Sequence, residues 1–318
     1  SKVPGDMVPA FFSKAMILFN CDYSEGAHAD ILRRMAETNM EQTAGYGEDP
    51  YCDQARKLIA GLCGRTDLDI HFLIGGTQTN FTVIAAALRP HQCVLCADTG
   101  HINVHESGAV EACGHKVSAI PSPDGKLTAR QIEEAWHAHW DDETREHMPQ
   151  PRMVYISQPT ELGTIYSRKE LQEISGVCRR RGLYLYMDGA RLGYGLCDED
   201  NDLDLPAIAS LCDAFYIGGT KVGALFGEAL VLRHEALKED FRYIAKQKGG
   251  RLAKGRLLGI QFLELFRDGL YFRLGAHADR LAVMLRDFCR SRGLSLPFSS
   301  GTKDRKSTRL NSSHRLPS

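Results

Sequence analysis

An α/β fold, with a mostly parallel sheet wrapped by helices, is the class this sequence predicts, and three observations point to it. Strand-like and helix-like runs alternate from residue 70 to residue 232, the pattern of a parallel sheet whose strands are joined through helices. Residues able to hold a ligand, Asp188 and Lys221 among them, fall where apolar runs end, and open α/β sheets collect their binding groups at strand ends. The composition, 43% hydrophobic and 25% charged over 318 residues, is enough to bury a sizeable core in about two domains.

The same composition narrows the function. A formal net charge of −1 gives no reason to expect nucleic acid or an anionic membrane surface as partner. The 10 cysteines are scattered, which suits a reduced, cytoplasmic setting better than a disulfide framework. Cys93 and Cys96 lie in an apolar run and read as core thiols. His137, His139 and His147 lack an acidic or thiol partner to complete a ligand set, so no metal is assigned and the segment reads as a solvated helix and loop. The apolar run from Ala10 to Phe19 is short and interrupted by Lys14, neither a membrane span nor a signal peptide.

In chain order, Asp22 and Ser24 open a turn before a helix from Ala29 to Asn39. Read from the residues alone, they form a turn that caps that helix. Tyr46 to Pro50 is a tight turn before a helix from Tyr51 to Gly61, and Ile70 to Ile74 is a strand. That strand leads into Gly75-Gly76-Thr77-Gln78 and a helix through Leu88. A glycine turn opening a helix presents free N–H groups at a positive dipole end, so Gly76, Thr77 and Gln78 form a candidate phosphate cup; the plainer alternative is an N-cap by Thr77. The next strand ends at Asp98 to His101, followed by His105 and Glu106, and Met153 to Ser157 is a core strand that ends toward Glu161. Ser167 to Gly182 is an amphipathic helix whose Arg179-Arg180-Arg181 end complements its dipole and stops at glycine.

Leu183 to Asp188 is a buried strand ending in an acid, with Arg191 three residues on. Phe215 to Ile217 and Ala229 to Leu232 are further strands, and Gly218-Gly219-Thr220-Lys221 lies between them. Taken singly, Lys221 reads as a solvated lysine and Asp188 as a turn or cap acid. Together they suit pyridoxal phosphate: a lysine amine can carry it as a Schiff base, and a carboxylate can keep its ring nitrogen protonated. Thr220 can add a hydroxyl to the phosphate cup. A nicotinamide-binding domain would alternate in the same way, but no GxGxxG follows a first strand. A basic segment, Lys246, Lys248, Arg251, Lys254 and Arg256, precedes a long helical stretch from Leu257 to Arg292.

The blocks DYSEGAH, EQTAGYGEDP, HFLIGGTQTN, DTGHINVHESGA, MVYISQPTELGTIYS, YMDGARLGYG and FYIGGTKVGALFGEAL resemble, in order, the L-threonine aldolases of the β-eliminating-lyase group, which are fold type I pyridoxal-phosphate enzymes. The resemblance runs from about Met16 to Ser300. It implies a mostly parallel seven-stranded sheet sandwiched by helices, in a large cofactor-binding domain over residues 16–250. Residues 251–300 would begin a truncated, smaller C-terminal α+β domain. Residues 1–15 would be an upstream extension, and 301–318 resembles a translated sequencing adaptor outside the fold. The implied activity is retro-aldol cleavage of L-threonine or L-allo-threonine to glycine and acetaldehyde by a cytoplasmic homodimer or homotetramer. Another β-eliminating lyase, an aminotransferase, or a catalytically impaired fragment are the alternatives.

The same resemblance assigns Lys221 as cofactor lysine, Asp188 to the ring nitrogen, and His101 to stacking on the ring. Arg191 would hold the substrate carboxylate or a cofactor oxygen, and Asp22 and Ser24 would reach the substrate carboxylate, the alternative being the helix-capping turn. Glu106 matches a family acid, whereas His105 stands where relatives carry an aromatic. Glu161 stands where better-studied relatives carry a histidine that touches the substrate hydroxyl, which leaves the general base open. Because the resemblance stops inside the small domain, and Arg305 and Arg309 have no register to supply its second arginine, weak catalysis is expected of the chain as written.

Overall fold

A computed structural model describes residues 18–294. The expected extension (1–15) and tail (301–318), with Arg305 and Arg309, lie outside the described residues. Seven strands form one sheet: β1 (Asp69–Leu73), β2 (Gln92–Ala97), β3 (Lys116–Ile120), β4 (Gln150–Ser157), β5 (Tyr184–Asp188), β6 (Ala214–Gly218) and β7 (Glu228–Leu232). Their order across the sheet is β1-β7-β6-β5-β4-β2-β3. Neighbours are parallel except at β7, which runs antiparallel to both β6 and β1. This is the mostly parallel sheet that the alternating pattern predicts.

Side chains alternate across a strand, and the two faces of the sheet carry different loads. Leu185, Met187, Phe215, Ile217 and Val231 bury into one core layer. Tyr155, Tyr186, Tyr216 and Leu230 bury into the other. Asp188 shares the parity of Tyr186, so it emerges at the strand end on the tyrosine face. Ser157 and Asp188 are register partners, as are Tyr155 and Tyr186.

Local chemistry sets the helix limits. Helix α1 spans Ala29–Glu37. Helix α2 (Pro50–Leu62) starts with proline and is capped by Asp49, which accepts from the Cys52 N–H at 2.9 Å. Thr128 with Gln131, and Ser167 with Glu170, form reciprocal capping boxes. Gly182 ends its helix at φ 63°, a left-handed position that favours glycine. Helix α3 (Gly76–Ala87) differs: its N-cap is Gly75, with no side chain to satisfy the first-turn N–H groups.

Strand β3 lies between β2 and β4 in the chain, half exposed along the sheet edge, so its burial signal is weak. Two expectations need correction. The run from 257 to 292 is two helices, Arg256–Arg267 and Leu270–Ser291, broken by Gly269 at φ 68°. The first of them buries Ile260, Phe262, Leu263 and Phe266 in the same core as β5 and β6 and packs on α1 and α2. His139, expected in a solvated helix, is 6% exposed and packs edge-on against Trp140, because it lies on the inner side of its helix. All ten cysteines are free thiols, and Cys93 and Cys96 are buried in β2.

Asp279, on helix Leu270–Ser291, is buried, and neither carboxylate oxygen finds a partner among the described residues. Burial, reinforced by Asp198, raises its pKa from 3.8 to about 8. A carboxyl raised on folding holds a proton that the unfolded chain has released, so its contribution to stability is lost as pH climbs from about 4 to about 8. Asp279→Asn has no charge to desolvate. Its melting temperature is expected to exceed the wild type's by a margin that widens over this range, at about 2–4 °C for each kcal/mol. A margin that stays constant from pH 4 to pH 8 would show that Asp279 is not the group responsible.

Candidate active site

Asp188 is the centre of the site. It ends β5, is 4% exposed, and accepts four hydrogen bonds. Oδ2 accepts from the Tyr155 hydroxyl at 2.6 Å and from Asn80 Nδ2 at 3.0 Å. Oδ1 accepts from the Tyr216 hydroxyl at 2.5 Å and from the Ala190 N–H at 2.9 Å. Burial alone would raise its pKa, but His101 and these donors outweigh burial and hold it below the ordinary carboxylate value. Burial and the Asp188 charge together push the Tyr155 and Tyr216 hydroxyls well up, so both remain donors.

Asn80, on α3, links Asp188 to the next strand end. Its Nδ2 also donates to Glu106 Oε1 at 2.7 Å, and its Oδ1 accepts from the Tyr186 hydroxyl at 2.8 Å. Glu106 Oε1 in turn lies 2.7 Å from His101 Nδ1. The His101 ring is therefore held by an acid that is itself tied, through one amide, to Asp188. The second Glu106 oxygen is buried without a partner among the described residues. His105 lies beside His101, ring centroids 5.4 Å apart.

Glu161, past the end of β4, accepts from the His101 N–H at 2.9 Å and the Ser157 hydroxyl at 2.6 Å. Burial raises its pKa, and the nearby Asp188 charge adds to that rise. Arg191 is 9% exposed and grips Asp22 through Nε and Nη2, at 2.6 and 3.1 Å. Asp22 thus orients Arg191; as an anion bound to a guanidinium it is unsuited to hold a second carboxylate, and this corrects that part of its expected role. Ser24 is exposed, with its hydroxyl 3.0 Å from Cys21 Sγ.

Lys221 sits in the β6–β7 connection, half buried, its backbone carbonyl accepting from the Tyr194 hydroxyl. Among the described residues no carboxylate lies within ion-pair distance of its amine. Burial and then the Arg191 charge push its pKa down, against the pull of Asp22, Glu228 and Asp188, which favours the neutral, nucleophilic amine.

The phosphate-cup residues divide. The first-turn N–H groups of Gly76, Thr77 and Gln78 are uncapped by any side chain, and a Cβ on Gly75 would meet nothing within 4 Å, so the helix end opens on space. The Gln78 side chain is already used, accepting from the Ile74 N–H and donating to the Lys248 carbonyl, both at 3.2 Å. That contact brings the basic segment to the mouth of the cup. Thr220 departs from expectation. Its hydroxyl donates to Glu228 Oε1 at 2.9 Å and accepts from the Gly227 N–H at 3.0 Å, so it faces the protein interior and its donor is not free for phosphate.

Asn80, Tyr155, Tyr216 and Glu228 escaped the sequence reading. The tyrosines had a signal, since Tyr155, Tyr186 and Tyr216 share the strand parity of the acid; Asn80 and Glu228 had none without the fold. The residues brought together fit pyridoxal phosphate: an uncapped helix end for an anion, a buried anionic carboxylate for a protonated ring nitrogen, an oriented imidazole, and an amine with depressed pKa. Asp188 already fills about the four acceptor sites a carboxylate has, so a ring nitrogen would share or replace one of its present donors.

A family model described as beta-eliminating lyase matches residues 21–291. The chain is 33% identical over 284 residues to the low specificity L-threonine aldolase of Pseudomonas aeruginosa, covering 88% of this chain and 80% of that protein. Among solved structures, a threonine aldolase from Leishmania major is similar with a TM-score of 0.87 and 47% identity, over 93% of this chain and 87% of that chain. An aspartate aminotransferase of Thermus thermophilus, 15% identical, shares the fold, with a TM-score of 0.67 over 87% of this chain and 72% of that one.

Proposed function

Since the chain belongs to the beta-eliminating lyase family, we propose that it is a pyridoxal-phosphate-dependent lyase cleaving L-threonine or L-allo-threonine to glycine and acetaldehyde. Its likeness to the Leishmania major and Thermus thermophilus structures gives the fold as that of the fold type I enzymes. The observation that carries the reading is Asp188, buried under four hydrogen-bond donors at the end of β5, with Lys221 in the connection that follows the adjacent strand β6.

When bound, pyridoxal phosphate supplies a ring that accepts the electron pair released at Cα. The N–H groups of Gly76, Thr77 and Gln78 bind its phosphate at the positive end of α3. Asp188 holds the ring nitrogen protonated, and its own low pKa keeps it anionic for that task. His101, whose ring is fixed by Glu106, would contact the cofactor. Arg191 has five N–H donors, of which two go to Asp22, and the others serve the substrate carboxylate. Glu161, held by the Ser157 hydroxyl and the His101 N–H, takes the β-hydroxyl proton. Lys221 Nζ would take up a proton once displaced and give it to Cα, and the β-hydroxyl proton left on Glu161 restores it when that acid is next deprotonated. No helix among the described residues is long and apolar enough to cross a membrane, and none of them cluster as metal ligands.

The deciding measurement is product analysis of the protein loaded with pyridoxal phosphate and given L-threonine, L-allo-threonine, L-serine and L-cysteine in turn. Glycine and acetaldehyde in equal amounts from the threonines are expected. Pyruvate from serine or cysteine as the main product would mean β-elimination, and 2-oxo acid formation that requires an added acceptor would mean transamination.

A further inference from the structure

One buried carboxyl near Lys221 has no part in the chemistry so far. β6 ends at Gly218 and β7 begins at Glu228, and the two are register partners, so the chain between them is a closed hairpin loop. Glu228 is 3% exposed. Its Oε1 accepts from the Thr220 hydroxyl at 2.9 Å, and its Oε2 from the Gly219 N–H at 3.2 Å. Gly219 and Thr220 are the two residues before Lys221. The Gly227 carbonyl accepts from both of their N–H groups, at 3.0 and 3.2 Å. Every other residue of β7 is buried and apolar, and an apolar side chain at 228 would continue that pattern without the cost of burying a carboxyl. Burial raises the Glu228 pKa to about 8, opposed by the nearby Lys221 charge. A costly group in place of a cheap one, bonded to the residues that carry the lysine, marks a local task.

We propose that Glu228 is a positioning residue for Lys221: it grips the two preceding residues from the protein interior, so that the amine leaves the turn in one direction. The proposal rests on Lys221 being the reacting amine. Thr220 is the second half of the grip, which accounts for its hydroxyl pointing inward.

The test compares wild type with Glu228→Gln, Thr220→Val, Thr220→Ser and the Glu228→Gln/Thr220→Val double variant. Two readouts are taken above pH 8, where Glu228 is ionised and both of its oxygens accept: kcat and KM for threonine, and, on cofactor-free protein, the rate at which an amine-acylating reagent labels Lys221 relative to exposed lysines. Glu228→Gln puts an amide NH2 where one acceptor was, so one bond of the grip is lost. It is expected to lower kcat about tenfold or more with KM nearly unchanged, and to speed Lys221 labelling as the freed side chain reaches solvent. These opposite movements are what global loosening would not produce, since it would expose other buried sites as well. Thr220→Val should show part of the effect, Thr220→Ser little, and the double variant no more than Glu228→Gln alone. If Glu228→Gln does not fold, the Thr220→Val and Thr220→Ser pair decides. Wild-type-like kcat and labelling in Glu228→Gln, or in Thr220→Val where that pair decides, would overturn the proposal, as would strictly additive effects. Absence of glycine formation by the wild type counts against the threonine reading instead, while Lys221 labelling still judges the grip.

Discussion

Lys221→Ala is expected to lower threonine cleavage by about a thousandfold or more, with the fold intact. The size follows from losing both the covalent attachment and a proton carrier at one stroke, and general acid–base contributions alone run to about 10²–10⁴-fold. The fold should survive because the turn is held by its backbone: Tyr194 bonds the Lys221 carbonyl, and Gly219 and Thr220 bond Gly227. Removing a half-buried amine of depressed pKa also relieves a desolvation cost. Borohydride treatment of the wild type with pyridoxal phosphate, followed by peptide mapping, should place the fixed adduct on Lys221. Retention of activity with an adduct on another lysine in the variant would show that the assignment is wrong.

The second large effect is expected at Asp188, where activity and stability should fall together. Asp188→Asn replaces one acceptor oxygen by an NH2 in a pocket whose four contacts are all donors: Asn80, Tyr155, Tyr216 and the Ala190 N–H. One or two of them lose their acceptor, at about 1–3 kcal/mol for each buried group left unsatisfied. The charge that holds a ring nitrogen protonated disappears as well, so kcat should drop by about a hundredfold or more, on the scale of a lost acid–base contribution. Because the folded pKa of Asp188 is depressed, its contribution to stability is present above its ordinary value of 3.8 and is lost as pH falls below it. Urea unfolding of wild type and Asp188→Asn should therefore diverge at pH 7 and converge toward pH 3. An asparagine variant with nearly full kcat would refute the role.

The sheet and its central residues were legible because strands β2, β4, β5 and β6 are continuous apolar runs bounded by turn residues, and because Asp188 and Lys221 fall at their ends. Edge strand β3 was not, since a strand with one wet side and one neighbour leaves little hydrophobic signal. The break at Gly269 was missed because a single glycine inside a helical pattern is often tolerated. The candidate site was legible where a single residue or turn carries the expectation, as with the lysine, the acid and the uncapped helix. It was illegible where the task is to hold another side chain. Asn80 bridges Glu106 and Asp188, and Asp22 clamps Arg191, relations that exist only after the chain has brought distant segments together. Thr220 shows the converse: its position beside Lys221 suggested a ligand, and its rotamer serves Glu228.

The contacts of the site differ widely in how far apart their partners lie along the chain. Glu228 meets Thr220 and Gly219 at separations of 8 and 9 residues. Asn80 meets Asp188 across 108, and Asp22 meets Arg191 across 169. The entropy lost in closing a loop grows with the logarithm of its length, so the antiparallel return of β7 makes the lysine arm the cheapest part of the site to assemble. Assembly of the hairpin around Lys221 is thus local, whereas the Asp22–Arg191 pair depends on segments brought together from across the chain.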